Sequence, residues 1–140
     1  MKKVKKLSTF LLLLAALCSN AQQSCELVVK VENIKTQKGS IMIAVYDHQD
    51  RFLSKEILSD GKIINKDVVE FSFKGLGEGF YAISIFQDEN GNGKLDSNFM
   101  GIPTEPYAFS NNAKGMFGPP SFEDCRFEVA QGGNEIVIRL

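Results

Sequence analysis

A two-residue period dominates the chain beyond its N-terminal segment. In Cys25-Glu26-Leu27-Val28-Val29-Lys30-Val31-Glu32 the odd positions are apolar, while Glu26, Lys30 and Glu32 are set for water. Successive side chains of a strand point to opposite faces, so this pattern predicts a strand buried on one side. Gly39 marks a turn, and Ser40 to Tyr46 is apolar on both phases, which predicts a strand covered on both faces. Val69, Phe71 and Phe73 alternate with Glu70, Ser72 and Lys74, and Phe80 to Phe86 is again apolar on both phases. Cys125, Phe127 and Val129 alternate with Arg126 and Glu128; Gly132-Gly133-Asn134 then predicts a closing hairpin into Ile136, Ile138 and Leu140. Arg51 to Ser59 carries a mixed pattern that suits a short helix or an irregular strand. Six or seven strands with no strand–helix rhythm predict an all-β fold, an antiparallel Ig-like two-sheet sandwich forming one domain over residues 22–140.

Between Asp88 and Asp124 the periodicity stops. This stretch holds all four prolines (Pro103, Pro106, Pro119, Pro120) and many glycines and asparagines. Loops beyond about 12–15 residues are uncommon in compact domains and are either functional or disordered. Phe99, Tyr107, Phe109, Phe117 and Phe122 give it an aromatic content that disordered segments lack, so an ordered, self-packed excursion is predicted.

The N-terminal segment changes the picture of compartment and charge. Lys2, Lys3, Lys5 and Lys6 precede a mostly apolar Leu7 to Leu17, and Ser19-Asn20-Ala21 follows as a small-x-small cleavage site. These are the parts of a secretory signal peptide over residues 1–21, and the apolar run is shorter than the roughly 20 residues a spanning helix needs. Leu17 stands where a lipobox would carry a small residue before Cys18, so soluble export, periplasmic or extracellular, is expected over lipid anchoring. Removal of residues 1–21 takes 4 of the 16 basic residues and no acid, leaving 12 against 17, a net charge of −5. With no basic run left, nucleic acid and anionic lipid are poor partners, and no later segment is apolar and long enough to be transmembrane. Cys25 and Cys125 remain, near the two ends of the mature chain, each opening an apolar alternation on its inward phase. A disulfide between them would close a loop worth up to roughly 4–5 kcal/mol; the alternative is two buried free thiols.

Candidate chemistry concentrates at the start of the long loop. Asp88-Glu89-Asn90-Gly91-Asn92-Gly93-Lys94-Leu95-Asp96 has oxygen side chains at its first, third, fifth and ninth places and glycine at its sixth. Calcium takes six to eight oxygen ligands, and alternation around a sharp turn directs successive oxygens at one centre. Asp88, Asn90, Asn92 and Asp96, with the carbonyl of Lys94, are the predicted ligands. Phe99 stands where an EF-hand has its bidentate glutamate, and with two carboxylates binding would be weak unless Glu89 or Glu105 folds back. The alternative is two Asn-Gly turns whose side chains bond their own backbone.

Elsewhere the signals are bland. His48 beside Asp47 reads as a solvated turn, and a lone histidine cannot assemble a zinc site. Gly75-Leu76-Gly77-Glu78-Gly79 precedes a strand, not a helix, and so reads as a turn. There is no Gly-x-Ser-x-Gly setting and no acid pair placed by spacing for glycoside hydrolysis. The expectation is a non-enzymatic binding or structural module; a cell-envelope hydrolase with a site built from loop 88–124 is the alternative. Tyr107, Phe109 and Phe117 could form a surface platform for a protein or carbohydrate ligand, or could pin the loop to its domain.

Several of these segments together resemble a known family. Gly75-Leu76 to Tyr81, Asp88 to Asp96, Gly101-Ile102-Pro103 through Ser110-Asn111-Asn112, and Phe117-Gly118-Pro119-Pro120-Ser121-Phe122 are similar to the signature of domain-of-unknown-function family 2141, exported bacterial proteins. The resemblance spans essentially the whole mature chain and implies an exported β-sandwich without assigned catalytic residues. The strand running into Asp-x-Asn-x-Asn-Gly also resembles that step in transthyretin-like and collagen-adhesin surface modules, some of which bind calcium. Cys125 stands where the resemblance implies a small residue such as alanine, which would make any disulfide particular to this protein.

Overall fold

A computed structural model describes residues 24–140, so the predicted signal peptide lies outside the described residues. Eight strands follow in order: β1 (Cys25–Glu32), β2 (Ser40–Tyr46), β3 (Leu58–Ile63), β4 (Val69–Leu76), β5 (Gly79–Asp88), β6 (Tyr107–Phe109), β7 (Phe127–Val129) and β8 (Gly133–Arg139). One short helix, α1 (Phe122–Cys125), precedes β7. The strands form two sheets, β4-β1-β8 and β3-β2-β5-β6, with β7 also paired to β5. The fold is nearly all β, a two-sheet sandwich, as the alternation predicts.

The core follows from that alternation. Leu27, Val29 and Val31 of β1 and Phe71 of β4 turn inward and are fully buried. They meet Ile41 and Val45 of β2 and Ile83 and Ile85 of β5 from the facing sheet. Burying each such side chain stabilises by about 1.5–3 kcal/mol, so this interface dominates the fold. Strands β2 and β5 are apolar on their outer phase as well, and the structure shows what covers it. Tyr46 and Ala82 pack there with Phe109, Phe122 and Cys125 in a second buried cluster, to which Phe52 is added from the chain after β2. Phe52 meets Tyr46 and Phe122 edge-on, at 5.2 and 5.9 Å between ring centroids.

The long loop thus returns twice to the free edge of β5. Its β6 pairs Phe86↔Tyr107 and Ser84↔Phe109, and after the loop β7 pairs Tyr81↔Phe127 and Gly79↔Val129. Between them, buried Ser110 accepts the N–H of Ile83 at 2.9 Å and donates to the carbonyl of Cys125.

Four expectations are corrected. The last two strands form no hairpin: β7 belongs beside β5, whereas β8 runs parallel to β1, with Val29↔Ile136 in register. The reason is that the chain changes sheets at Gly132, which has a left-handed φ of 96°, so the sandwich is mixed and not purely antiparallel. Cys125 ends α1 and does not open a strand; Ser121 caps that helix, accepting from Asp124 N–H while Asp124 accepts from Ser121 N–H. Of residues 51–59, Arg51 ends a 3-10 turn over Gln49–Arg51, the next six are turn and irregular chain, and Leu58 and Ser59 open β3, an edge strand whose exposed side chains hide its periodicity. Finally, Cys25 and Cys125 are both buried free thiols. Cys25 belongs to the core between the sheets and Cys125 to the cluster outside them, so the expected disulfide is not formed. Burial, with the Asp124 carboxylate adding to it, pushes the Cys125 thiol up to about 11, which leaves it protonated and unreactive at neutral pH.

Candidate functional site

The long loop begins where β5 ends, and three buried polar residues fix its base. The Gln87 side-chain amide donates to the carbonyls of Thr36 (2.9 Å) and Lys38 (2.7 Å), tying the loop to the connection between β1 and β2. Glu105 folds back over the turn: its Oε1 accepts Glu89 N–H at 2.9 Å and its Oε2 accepts Asp96 N–H at 3.0 Å. Asp88, only 3% exposed, accepts Gly91 and Asn92 N–H at Oδ1 (2.9 and 3.2 Å) and Gly93 N–H at Oδ2 (2.8 Å).

These bonds bring the predicted calcium ligands together, but with a particular polarity. Oδ1 of Asn90 accepts Asn92 N–H (3.1 Å), and Oδ1 of Asn92 accepts Lys94 N–H (2.8 Å). Both side-chain amide nitrogens then donate to the Asp96 carboxylate, that of Asn92 at 2.9 and 3.1 Å. The arrangement is a self-satisfied pair of Asx turns. A cation at this centre would have to displace the amide–Asp96 hydrogen bonds, and oxygens of Asp88, Asn90 and Asn92 already accept backbone N–H groups.

Beyond Asp96 the loop makes two further tight turns. Ser97 pairs with Pro103, and Asn98 closes the tip between them, its Oδ1 accepting the N–H of Met100 (2.9 Å) and Ile102 (3.1 Å). Phe99 at that tip is 98% exposed. The second turn closes between Gly115 and Gly118, so tightly that a Cβ on Gly115 would lie 1.8 Å from the Gly118 carbonyl oxygen. Phe117 there is fully exposed, and Met116 beside it nearly so. An open cavity of about 590 Å³ separates this second turn from Tyr107, with Asn33, Lys114 and Arg139 on its walls.

The three aromatic residues predicted as a platform therefore divide. Phe109 is buried in the cluster on the outer face of the β2–β5 sheet, so it is a pin and not a platform residue. Tyr107 is half exposed with its ring 6.0 Å from that of Phe109, and Phe117 stands free. Met100, Ile102 and Met116 join the exposed set without a sequence signal to mark them, because nothing in a loop's pattern says which side meets the sheet. The segment Ser110-Asn111-Asn112 proves to be stitching. Asn111 and Asn112 adopt left-handed φ values of 60° and 50°, which asparagine tolerates better than most residues. The amide of Asn111 reaches the carbonyls of Asp124 and Arg126, and Asn112 accepts Arg139 N–H at 2.9 Å.

The remaining candidates are structural. His48 caps the 3-10 turn by accepting Asp50 N–H at 3.2 Å. The Gly75–Gly79 stretch is the turn between β4 and β5, closed by the Tyr81 hydroxyl donating to Gly77 O at 2.8 Å. No helix among the described residues is long and apolar enough to cross a membrane.

Among curated proteins and among solved structures nothing matches the chain. One family does match, over residues 29–137, and it is described as uncharacterised protein conserved in bacteria, domain of unknown function 2141. It takes in both sheets and the whole of the loop, and the chain belongs to this family.

Proposed function

We propose that the protein is an exported, non-enzymatic binding module that presents the turns of loop 88–124 to a protein or carbohydrate partner. The observation that carries this reading is the placement of exposed apolar side chains. Of the eleven large ones exposed among the described residues, Leu95, Phe99, Met100, Ile102, Tyr107, Met116 and Phe117 fall within this one loop. Large exposed apolar groups gathered on one segment mark interaction surfaces on soluble domains. Three of the loop's six acids, Asp88, Glu105 and Asp124, accept backbone N–H groups of the loop itself, which supports a structural role for them. A photoreactive phenylalanine placed at position 99 or 117 should give a discrete cross-linked adduct in the producing cell's envelope. The same group at position 63, on the β3 edge and also exposed, should not. Equal labelling from all three positions, or none, would refute the reading.

A second feature supports calcium as the clamp of this surface. Asp88, Asn90, Asn92 and Asp96 already converge through mutual hydrogen bonds, so an ion would need side-chain rotation and little backbone movement. Calcium bound there would hold the first turn, and with it Phe99, in one orientation. Isothermal titration of the mature protein with calcium, with magnesium as control, tests this directly; no calcium-selective heat would remove calcium from the proposal and leave the surface.

A further inference from the structure

Asn90-Gly91 and Asn92-Gly93 are the only two Asn-Gly steps in the chain, and they are consecutive. Such a step is chemically weak because the glycine nitrogen, unshielded by a side chain, can attack Cγ of the preceding asparagine. A bond forms between that nitrogen and Cγ, the Cγ–Nδ2 bond breaks, and ammonia leaves with the proton of the glycine amide. Water then opens the resulting succinimide at either carbonyl, giving aspartate or isoaspartate. Here both glycines face open space: nothing lies within 4 Å of a Cβ built on either.

Two carboxylates oppose the reaction at both steps. The attacking nitrogens are those of Gly91 and Gly93, and their N–H groups donate to the two oxygens of the buried Asp88 carboxylate, at 2.9 and 2.8 Å. An anion that accepts the N–H also disfavours the negative charge the nitrogen must develop before it attacks. The leaving groups are held as well, since both asparagine Nδ2 atoms donate to Asp96. We infer that Asn90 and Asn92 form a latent deamidation site that the Asp88 carboxylate keeps closed. The product at position 92 would set a carboxylate against the oxygens of Asp96 where a donor now stands, so one deamidation event loosens the turn around the other.

The test is peptide mapping by mass spectrometry on the mature protein, incubated in EGTA at neutral pH so that no bound metal contributes. A synthetic peptide of residues 86–98 gives the unprotected rate. The folded protein should deamidate at Asn90 and Asn92 at least about tenfold more slowly than the peptide, the margin expected for loss of one hydrogen bond to a charged group. Asp88→Ala, shown folded by its near-ultraviolet circular dichroism, should approach the peptide rate. Native protein that deamidates as fast as the peptide, or folded Asp88→Ala that keeps the native rate, overturns the inference. Should Asp88→Ala not fold, amide hydrogen exchange of the native protein decides: slow exchange at both Gly91 and Gly93 supports the guard, and rapid exchange at either with slow deamidation refutes it.

Discussion

The division of the loop aromatics into a pin and a free tip predicts opposite consequences for two outwardly similar substitutions. Phe109 is 7% exposed, its ring 6.0 Å from Tyr107 and 6.3 Å from Phe52, over the outer face of the β2–β5 sheet. Phe109→Ala removes a ring from a packed cluster, which costs about 3–5 kcal/mol in transfer and cavity terms together. For a domain of this size that lowers Tm by roughly 10 to 25 °C. Phe117 has no packed neighbours to lose, so Phe117→Ala should stay within about 0.5 kcal/mol of the native protein. Urea unfolding of the mature protein, followed by circular dichroism, measures both, with unchanged m values showing that the same surface is exposed in each case. A Phe117→Ala cost comparable to that of Phe109→Ala would show that the second turn packs on something, and the proposed binding surface would lose one of its two tips. A Phe109→Ala cost below about 1 kcal/mol would mean the loop is not held by the outer cluster.

Three further outcomes follow from the same geometry. Ser110→Ala leaves the Ile83 N–H and the Cys125 carbonyl unpartnered in a buried site and should cost about 1–3 kcal/mol in the same urea assay; a neutral result would place water there. In a thermal melt, about 5 mM calcium should stabilise the protein by roughly 2.3 kcal/mol if Kd is near 0.1 mM, and Asp88→Ala should abolish the gain; an unchanged response in that variant would remove Asp88 from the ligand set. The Cys125 thiol, pushed up from 9.0 to about 11 in the fold, contributes stability that is complete below pH 9 and is lost as the pH rises towards 11. Its share of the slope is at most about 1.4 kcal/mol per pH unit, so Cys125→Ala should unfold less steeply with alkali than the native chain over that window; identical slopes would contradict its burial as a thiol.

How much of this was legible in the sequence depends on which physical signal each element carries. Strands β1 and β4 have one wet and one dry face, and their period of two writes that directly. Strands β2 and β5 read as doubly covered, which is correct, although their sequences could not say that the long loop supplies the outer cover. Strand β3 showed only as one alternative for Arg51 to Ser59, overlapping its first two residues, because Leu58-Ser59-Asp60-Gly61-Lys62-Ile63 lies at an edge and buries little. The parallel pairing of β8 with β1 is set by contacts across more than a hundred residues, and local turn chemistry at Gly132-Gly133 pointed instead to a hairpin. In the loop, the side chains of Asn90 and Asn92 meet that of Asp96, whereas the Asp88 carboxylate meets only backbone N–H groups. Whether the asparagine nitrogens or oxygens face the centre is a rotamer question that spacing cannot address.

The loop also inverts the usual distribution of side chains, and the inversion bears on function. Asp88, Glu105 and Ser110 are buried, whereas Phe99, Met116 and Phe117 stand in water. A buried polar group is tolerated when it is hydrogen-bonded, and among the described residues no buried side-chain nitrogen or oxygen lacks a partner. The hydrogen bonds of Asp88 and Glu105 hold the base of the loop, and Asn98 holds the turn that carries Phe99, while Met116 and Phe117 stand on the turn beside the open cavity next to Tyr107. A flexible loop of the same composition would collapse onto that cavity and hide its rings. Rigid turns that keep phenylalanines exposed reduce the entropy lost when a partner buries them, which is the condition for a small surface to bind with useful affinity. The hydrogen-bonded base of the loop is therefore as much a part of the binding surface as the rings it displays.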